Sequence, residues 1–74
     1  MFAEGSIRVG KSDFHYWVKR AEEPTENGIH GGRIIKMTLT RGKDVAYRYD
    51  CGLDIGVSDQ ETETAVLILI KDYN

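Results

Sequence analysis

The sequence predicts an α+β fold: an antiparallel sheet of about four strands, arranged as two hairpins and packed by one C-terminal helix. Three observations predict it. Apolar residues recur at every second position near residues 7–18 and again over 33–50. Glycine-containing segments punctuate those runs, and a helix-start signature at residues 58–61 precedes an apolar stretch. With 74 residues the chain has room for a single domain, 1–74, and one modest core. Chains this short bury only about 60% of their unfolded surface, so a partner subunit is one natural source of extra stability.

The first strand is weakly patterned, with Ile7 and Val9 flanking Arg8 between Gly5 and Gly10. Residues 12–20 alternate more clearly, with Phe14, Tyr16 and Val18 on one side and His15, Trp17 and Lys19 on the other. With Gly10, Lys11, Ser12 and Asp13 as the connection, the two runs form a hairpin. Trp17 lies opposite the aliphatic phase of its own strand. It is a stacking platform, an anchor for a protein partner, or a residue covered by the C-terminal segment.

Residues 21–32 contain Pro24, three glutamates and three glycines with no period of either kind, and read as a loop. Gly31 and Gly32 suit a turn whose N–H groups cradle an anion, and Arg33 follows with a guanidinium. The segment lacks the Gly-Lys-Ser/Thr ending of a P-loop and a helix after the glycines. The third strand places Ile35, Met37 and Leu39 inward and Lys36, Thr38 and Thr40 outward. The fourth places Val45, Tyr47 and Tyr49 inward and Ala46, Arg48 and Asp50 outward. Facing the two apolar sets across a hairpin requires a connection with an odd number of residues, such as residues 42–44 or 40–44.

Asp50 and Asp54 flank a glycine-punctuated bend, where turn and capping roles outweigh a metal site; none is expected, nor is a cofactor. Ser58 and Glu61 make a capping box, and the acids of the first turn and Lys71 in the last complement the dipole of a helix over residues 59–72. Its buried face centres on Thr62, Val66, Leu69 and Tyr73, flanked by Ala65 and Ile70. Leu67 and Ile68 fall outside it. Either residues 65–70 are a strand buried on both sides, or the helix has a second apolar surface, and then a homo-oligomer is expected with Leu67 and Ile68 at its interface.

The formal charge of −2 is unevenly spread: residues 1–49 hold nine cations against six acids, and residues 50–74 hold six acids against Lys71 alone. The single cysteine, Cys51, excludes an internal disulfide, and no leader-like segment precedes the fold, which together predict a cytoplasmic setting. The apolar run at 65–70 is too short to cross a bilayer, so no membrane partner is expected.

Residues 28–37, Gly-Ile-His-Gly-Gly-Arg-Ile-Ile-Lys-Met, followed by Tyr49-Asp50-Cys51-Gly52-Leu53-Asp54, resemble a family of short uncharacterised proteins from bacteria, prophages and phages. That family pairs Gly-Ile-x-x-Gly-Arg-Ile-Ser-Lys-Leu with Tyr-Asp-Arg-Gly-Trp-Asp. Gly32, Arg33, Ile34, Lys36, Tyr49, Asp50, Gly52 and Asp54 match, while Ile35, Cys51 and Leu53 stand where the family has Ser, Arg and Trp. The resemblance implies an accessory protein of a phage or mobile element, a setting in which many proteins block or sequester components of host defence.

The expected function is therefore non-enzymatic binding by an oligomer that sequesters a small phosphorylated or nucleotide-like ligand. Gly31, Gly32 and Arg33 would hold phosphate, Trp17 or Tyr49 would stack on a base, and Asp50 or Asp54 would accept from a ribose or base edge. The alternative is a protein-interaction module that inhibits a host protein through its sheet face or helix. No nucleophile, base and orienting group stand together as an enzyme needs, and no basic recognition helix suits sequence-specific nucleic acid.

Overall fold

The computed structural model describes residues 2–74; Met1, the first residue of the weakly patterned opening stretch, lies outside them. The elements are β1 (Phe2–Val9), β2 (Ser12–Arg20), a 3₁₀ turn (Ile29–Gly31), β3 (Ile34–Arg41), β4 (Asp44–Asp50), β5 (Leu53–Ile55) and α1 (Gln60–Tyr73). The fold is α+β. Its five strands form one antiparallel meander in the order β1-β2-β3-β4-β5, with the C-terminal helix on one face. The additional strand, β5, has three residues between Gly52 and Gly56, too few to display an alternation.

The helix face of the sheet is chosen by the period-two pattern of β2 and β3. Phe14, Val18, Met37 and Leu39 point toward α1 and are almost wholly excluded from solvent, against Ala65, Val66 and Leu69 of the helix. Burying a side chain of this size stabilises by about 1.5–3 kcal/mol. The helix presents the face expected of it, with Leu67 and Ile68 left exposed at 53% and 38%.

Two bulges correct the strand phases expected from sequence. Lys19 pairs with Lys36 but Arg20 pairs with Ile34, so Ile35 is looped out and Ile34, rather than Ile35, enters the core. The β3–β4 turn has only two residues, Gly42 and Lys43, where an odd number was required. Leu39 nevertheless opposes Tyr47 and Met37 opposes Tyr49, because an extra residue, Ala46, shifts the register beyond Thr40 and Val45. The bulge supplies the missing odd residue. It also turns Val45 out to solvent and buries Ala46, the reverse of the expected assignment. The first hairpin is likewise tighter than expected, with Gly10 and Lys11 alone as its turn.

The helix starts one residue later than the capping box implies. Asp59, not Ser58, is the N-cap, and its Oδ1 accepts from the Thr62 N–H at 2.8 Å. Glu61 is thereby freed to reach across to the first hairpin, accepting from the Lys11 N–H at 2.9 Å and from the Ser12 hydroxyl at 2.6 Å. Arg41 joins the two ends, donating to Ser12 at 3.2 Å and to Asp59 at 2.8 Å. The Arg41 guanidinium and the Thr62 N–H hold the Asp59 carboxyl down at about 2, and the Ser12 and Lys11 donors also lower that of Glu61.

A carboxylate whose folded pKa is depressed contributes stability that is complete above its unfolded pKa and lost as pH falls toward the folded one. For Asp59 the window runs from about 4 down to about 2. The urea midpoint is expected to fall through this window, and less steeply for Asp59→Asn, which keeps a cap acceptor but no charge. Equal slopes in the two proteins would show that the pair with Arg41 contributes nothing.

Candidate binding surface

With α1 on one face, the opposite face of the sheet is uncovered. Trp17 stands on β2, the second strand, in the one row that crosses all five: Glu4, Trp17, Thr38, Arg48 and Ile55. Rows of Ser6, His15, Thr40 and Val45 on one side, and of Phe2, Lys19, Lys36 and Asp50 on the other, complete the surface. The C-terminal segment therefore cannot cover Trp17, which is half-buried by its own neighbours. The His15 ring meets the indole edge-on, with centroids 4.4 Å apart.

Charge around the tryptophan is neutralised in place. His15 Nε2 lies 2.7 Å from Glu4 Oε2, Lys36 Nζ 3.6 Å from Asp50, Arg48 Nε 3.4 Å from Asp54, and Arg8 Nε 3.8 Å from Asp13. Together with Lys19 the face carries four Lys or Arg side chains and four carboxylates, so it has no strong preference for an anion. Phe2, Val45 and Ile55 add exposed apolar area toward its margins.

The remaining residues singled out in the sequence lie at the end of the sheet where β2, β4 and α1 finish. There the glycine corner and the Tyr49-to-Asp54 bend do come together: the Tyr49 hydroxyl donates to Asn27 O at 2.9 Å, and the Cys51 N–H donates to Ile35 O at 2.9 Å. The N–H groups that a phosphate would need are already committed. Gly31 N–H donates to Gly28 O at 3.0 Å and Gly32 N–H to Ile29 O at 2.9 Å. Those of Arg33 and Ile34 both donate to Asn74 Oδ1, at 2.8 and 3.0 Å, while Asn74 Nδ2 donates to Ile29 O at 2.9 Å.

Arg33 Nε donates to Ala21 O at 3.1 Å, which fixes the guanidinium along the end of β2. Tyr49 belongs to the helix side of the sheet, opposite Met37, whereas Trp17 and Asp50 belong to the uncovered side, where Asp54 reaches Arg48. The seven ligand residues expected from sequence are thus divided between a face and an end. Among the described residues there is no enclosed pocket between the two groups. Sequence reasoning missed Asn74, whose side chain closes the corner, and Glu4, which holds His15 beside Trp17. The even positions of β1 carried a signal for Glu4, while nothing local identified Asn74.

No helix of the described residues is long and apolar enough to cross a membrane. A family model described as a domain of unknown function (DUF7678) matches residues 1–74. No curated protein and no solved structure matches the chain.

Proposed function

The chain belongs to the DUF7678 domain family over its whole length, and we propose that it is a non-enzymatic binding protein that docks a protein partner on the uncovered sheet face around Trp17. The observation that carries this reading is the arrangement of that face: one large aromatic in the row that crosses all five strands, with charge pairs around it. Protein interfaces place their energetically dominant Trp, Tyr and Arg side chains centrally and ring them with polar groups that exclude water. A flat surface of balanced charge suits a protein better than a small phosphorylated molecule, which needs a concave site with unspent donors.

The setting we propose, an accessory protein of a phage or mobile element that inhibits a host component in the cytoplasm, rests on the resemblance of the 28–37 and 49–54 motifs and on the single cysteine. Sequestration of a nucleotide-like ligand is the competing reading. Its support is Arg33, whose guanidinium uses only Nε in a hydrogen bond within the described residues.

Capture from bacterial lysate separates the two. The immobilised protein and its Arg33→Ala variant are expected to retain the same host protein, whereas Trp17→Ala weakens retention about 30-fold, the loss of a large aromatic worth roughly 2 kcal/mol. Because Trp17 lies outside the core cluster, its removal should leave the melting temperature within a few degrees of wild type. Retention indifferent to Trp17, or a thermal shift with nucleotides that Arg33→Ala abolishes, would replace this reading with the ligand-binding one.

A further inference from the structure

We infer that β1 is a docking edge for a second copy of this chain, joined antiparallel about a two-fold axis at Ser6 to make one continuous ten-stranded sheet. β1 is the terminal strand of the meander. Its eight residues pair with β2 without a bulge or proline, and among the described residues no strand lies on its far side. The Gly10–Lys11 turn, with Gly10 at φ +61°, is a two-residue hairpin, in which the flanking pair Val9 and Ser12 exchanges both backbone bonds and the pattern alternates from there. Ala3, Gly5, Ile7 and Val9 therefore direct their backbone groups to β2. Those of Phe2, Glu4, Ser6 and Arg8 point away from the sheet, a ready template for another strand.

The side chains of β1 select both the partner and the register. On the uncovered face, a two-fold at Ser6 sets Glu4 of each copy opposite Arg8 of the other. A two-fold at Glu4 or at Arg8 would instead oppose identical charges, which destabilises a pair directly across strands. On the helix face, the same register sets Ile7 opposite Gly5 and Val9 opposite Ala3, large against small, twice over. The space above Gly5 is taken by the Tyr16 ring, whose hydroxyl oxygen would lie 2.7 Å from a Cβ there, so Ile7 of the second copy meets the edge of that ring. One strand thus selects this axis by the complementary charge on its uncovered face. This edge differs from the oligomer surface expected from sequence, Leu67 and Ile68, and it does not depend on what the Trp17 face binds.

The test is charge exchange read by light scattering and sedimentation. The wild-type protein is expected to run at twice its 8.4 kDa chain mass, and Trp17→Ala should do the same. Glu4→Arg and Arg8→Glu each place like charges opposite one another and should weaken dimerisation by at least about tenfold. An equimolar mixture of the two restores opposite charges at both positions and should recover the dimer. Circular dichroism of each variant alone checks that it is folded. A wild-type chain that stays monomeric at high concentration would overturn the inference, as would a dimer that both single variants leave intact or a mixture of folded variants that does not associate.

Discussion

Truncating Phe14 to alanine is expected to leave the chain largely unfolded. Phe14 is 1% exposed, on the helix side of β2, and packs within the cluster formed by Val18, Ile34, Met37, Leu39 and Leu69. Emptying a site of this kind costs about 3–5 kcal/mol, from lost transfer free energy and from the cavity left behind. A domain of this length has only about 4–11 kcal/mol in total by the usual per-residue stability, and small cores fall toward the lower end. The loss extends further, because the Arg41 guanidinium lies 5.4 Å above the Phe14 ring while it holds Asp59 and Ser12. Without the ring, the group that joins the helix start to the first hairpin loses its support. Urea denaturation followed by circular dichroism reads the effect, and a midpoint shift equivalent to less than about 1 kcal/mol would mean that Phe14 does not sit at the centre of the core.

The second large effect is expected at Gly28. An added Cβ would collide with the carbonyl oxygen of Gly32 and lie 3.1 Å from that of Thr25. Both carbonyls are engaged: Gly32 O accepts from the Thr25 N–H at 3.0 Å, and Thr25 O accepts from Gly28 itself at 2.9 Å. The obstacle is backbone, which cannot rotate aside as a side chain can. Gly28→Ala should therefore cost about 2–3 kcal/mol, the upper part of the range for overpacking a closed site. It should also release Ile29, 4% exposed, from the core and the Tyr49 hydroxyl from Asn27. Gly52→Ala, where no atom lies within 4 Å, is the matched control and should change the midpoint little. Equal midpoints for the two variants would show that the loop relaxes freely around the added methyl group.

Much of the fold was legible because its signals are local. The alternation at Phe14, Tyr16 and Val18, the acidic first turn and Lys71 placed the second strand and the helix, and the exclusion of Leu67 and Ile68 from the helix core face followed from 3.6-residue geometry. Errors gathered wherever a residue answers to a distant partner. Ser58 is a sound N-cap by local chemistry, yet Asp59 takes the place because Arg41, eighteen positions away, holds it there. Ile35 keeps the phase of its strand, yet Ile34 is buried because β2 and β3 slip by one residue at Arg20. β5 has no pattern of its own and exists only through its pairing with β4.

The candidate surface divides in the same way. Trp17 was visible from its phase, since an aromatic on the polar side of a strand needs a reason to be there. The glycine corner was visible too, but whether its N–H groups are free depends on Asn74, forty positions from Ile34. Without the tertiary structure, a corner closed by a side-chain amide and a corner open to phosphate read alike.

By itself, then, the sequence determined the α+β class, the side of β2 and of α1 that seeks apolar cover, and the aromatic left on the polar side of β2. These depend on propensity and periodicity, which act over a few residues. Only the tertiary structure decided which face of the sheet α1 covers, where the bulges fall, which donors of the glycine corner are spent, and that β1 rather than the helix offers an unpaired edge. Those outcomes are set by contacts between residues far apart in the chain, whose free energies outweigh local preference by several kcal/mol and leave no periodic trace in the sequence.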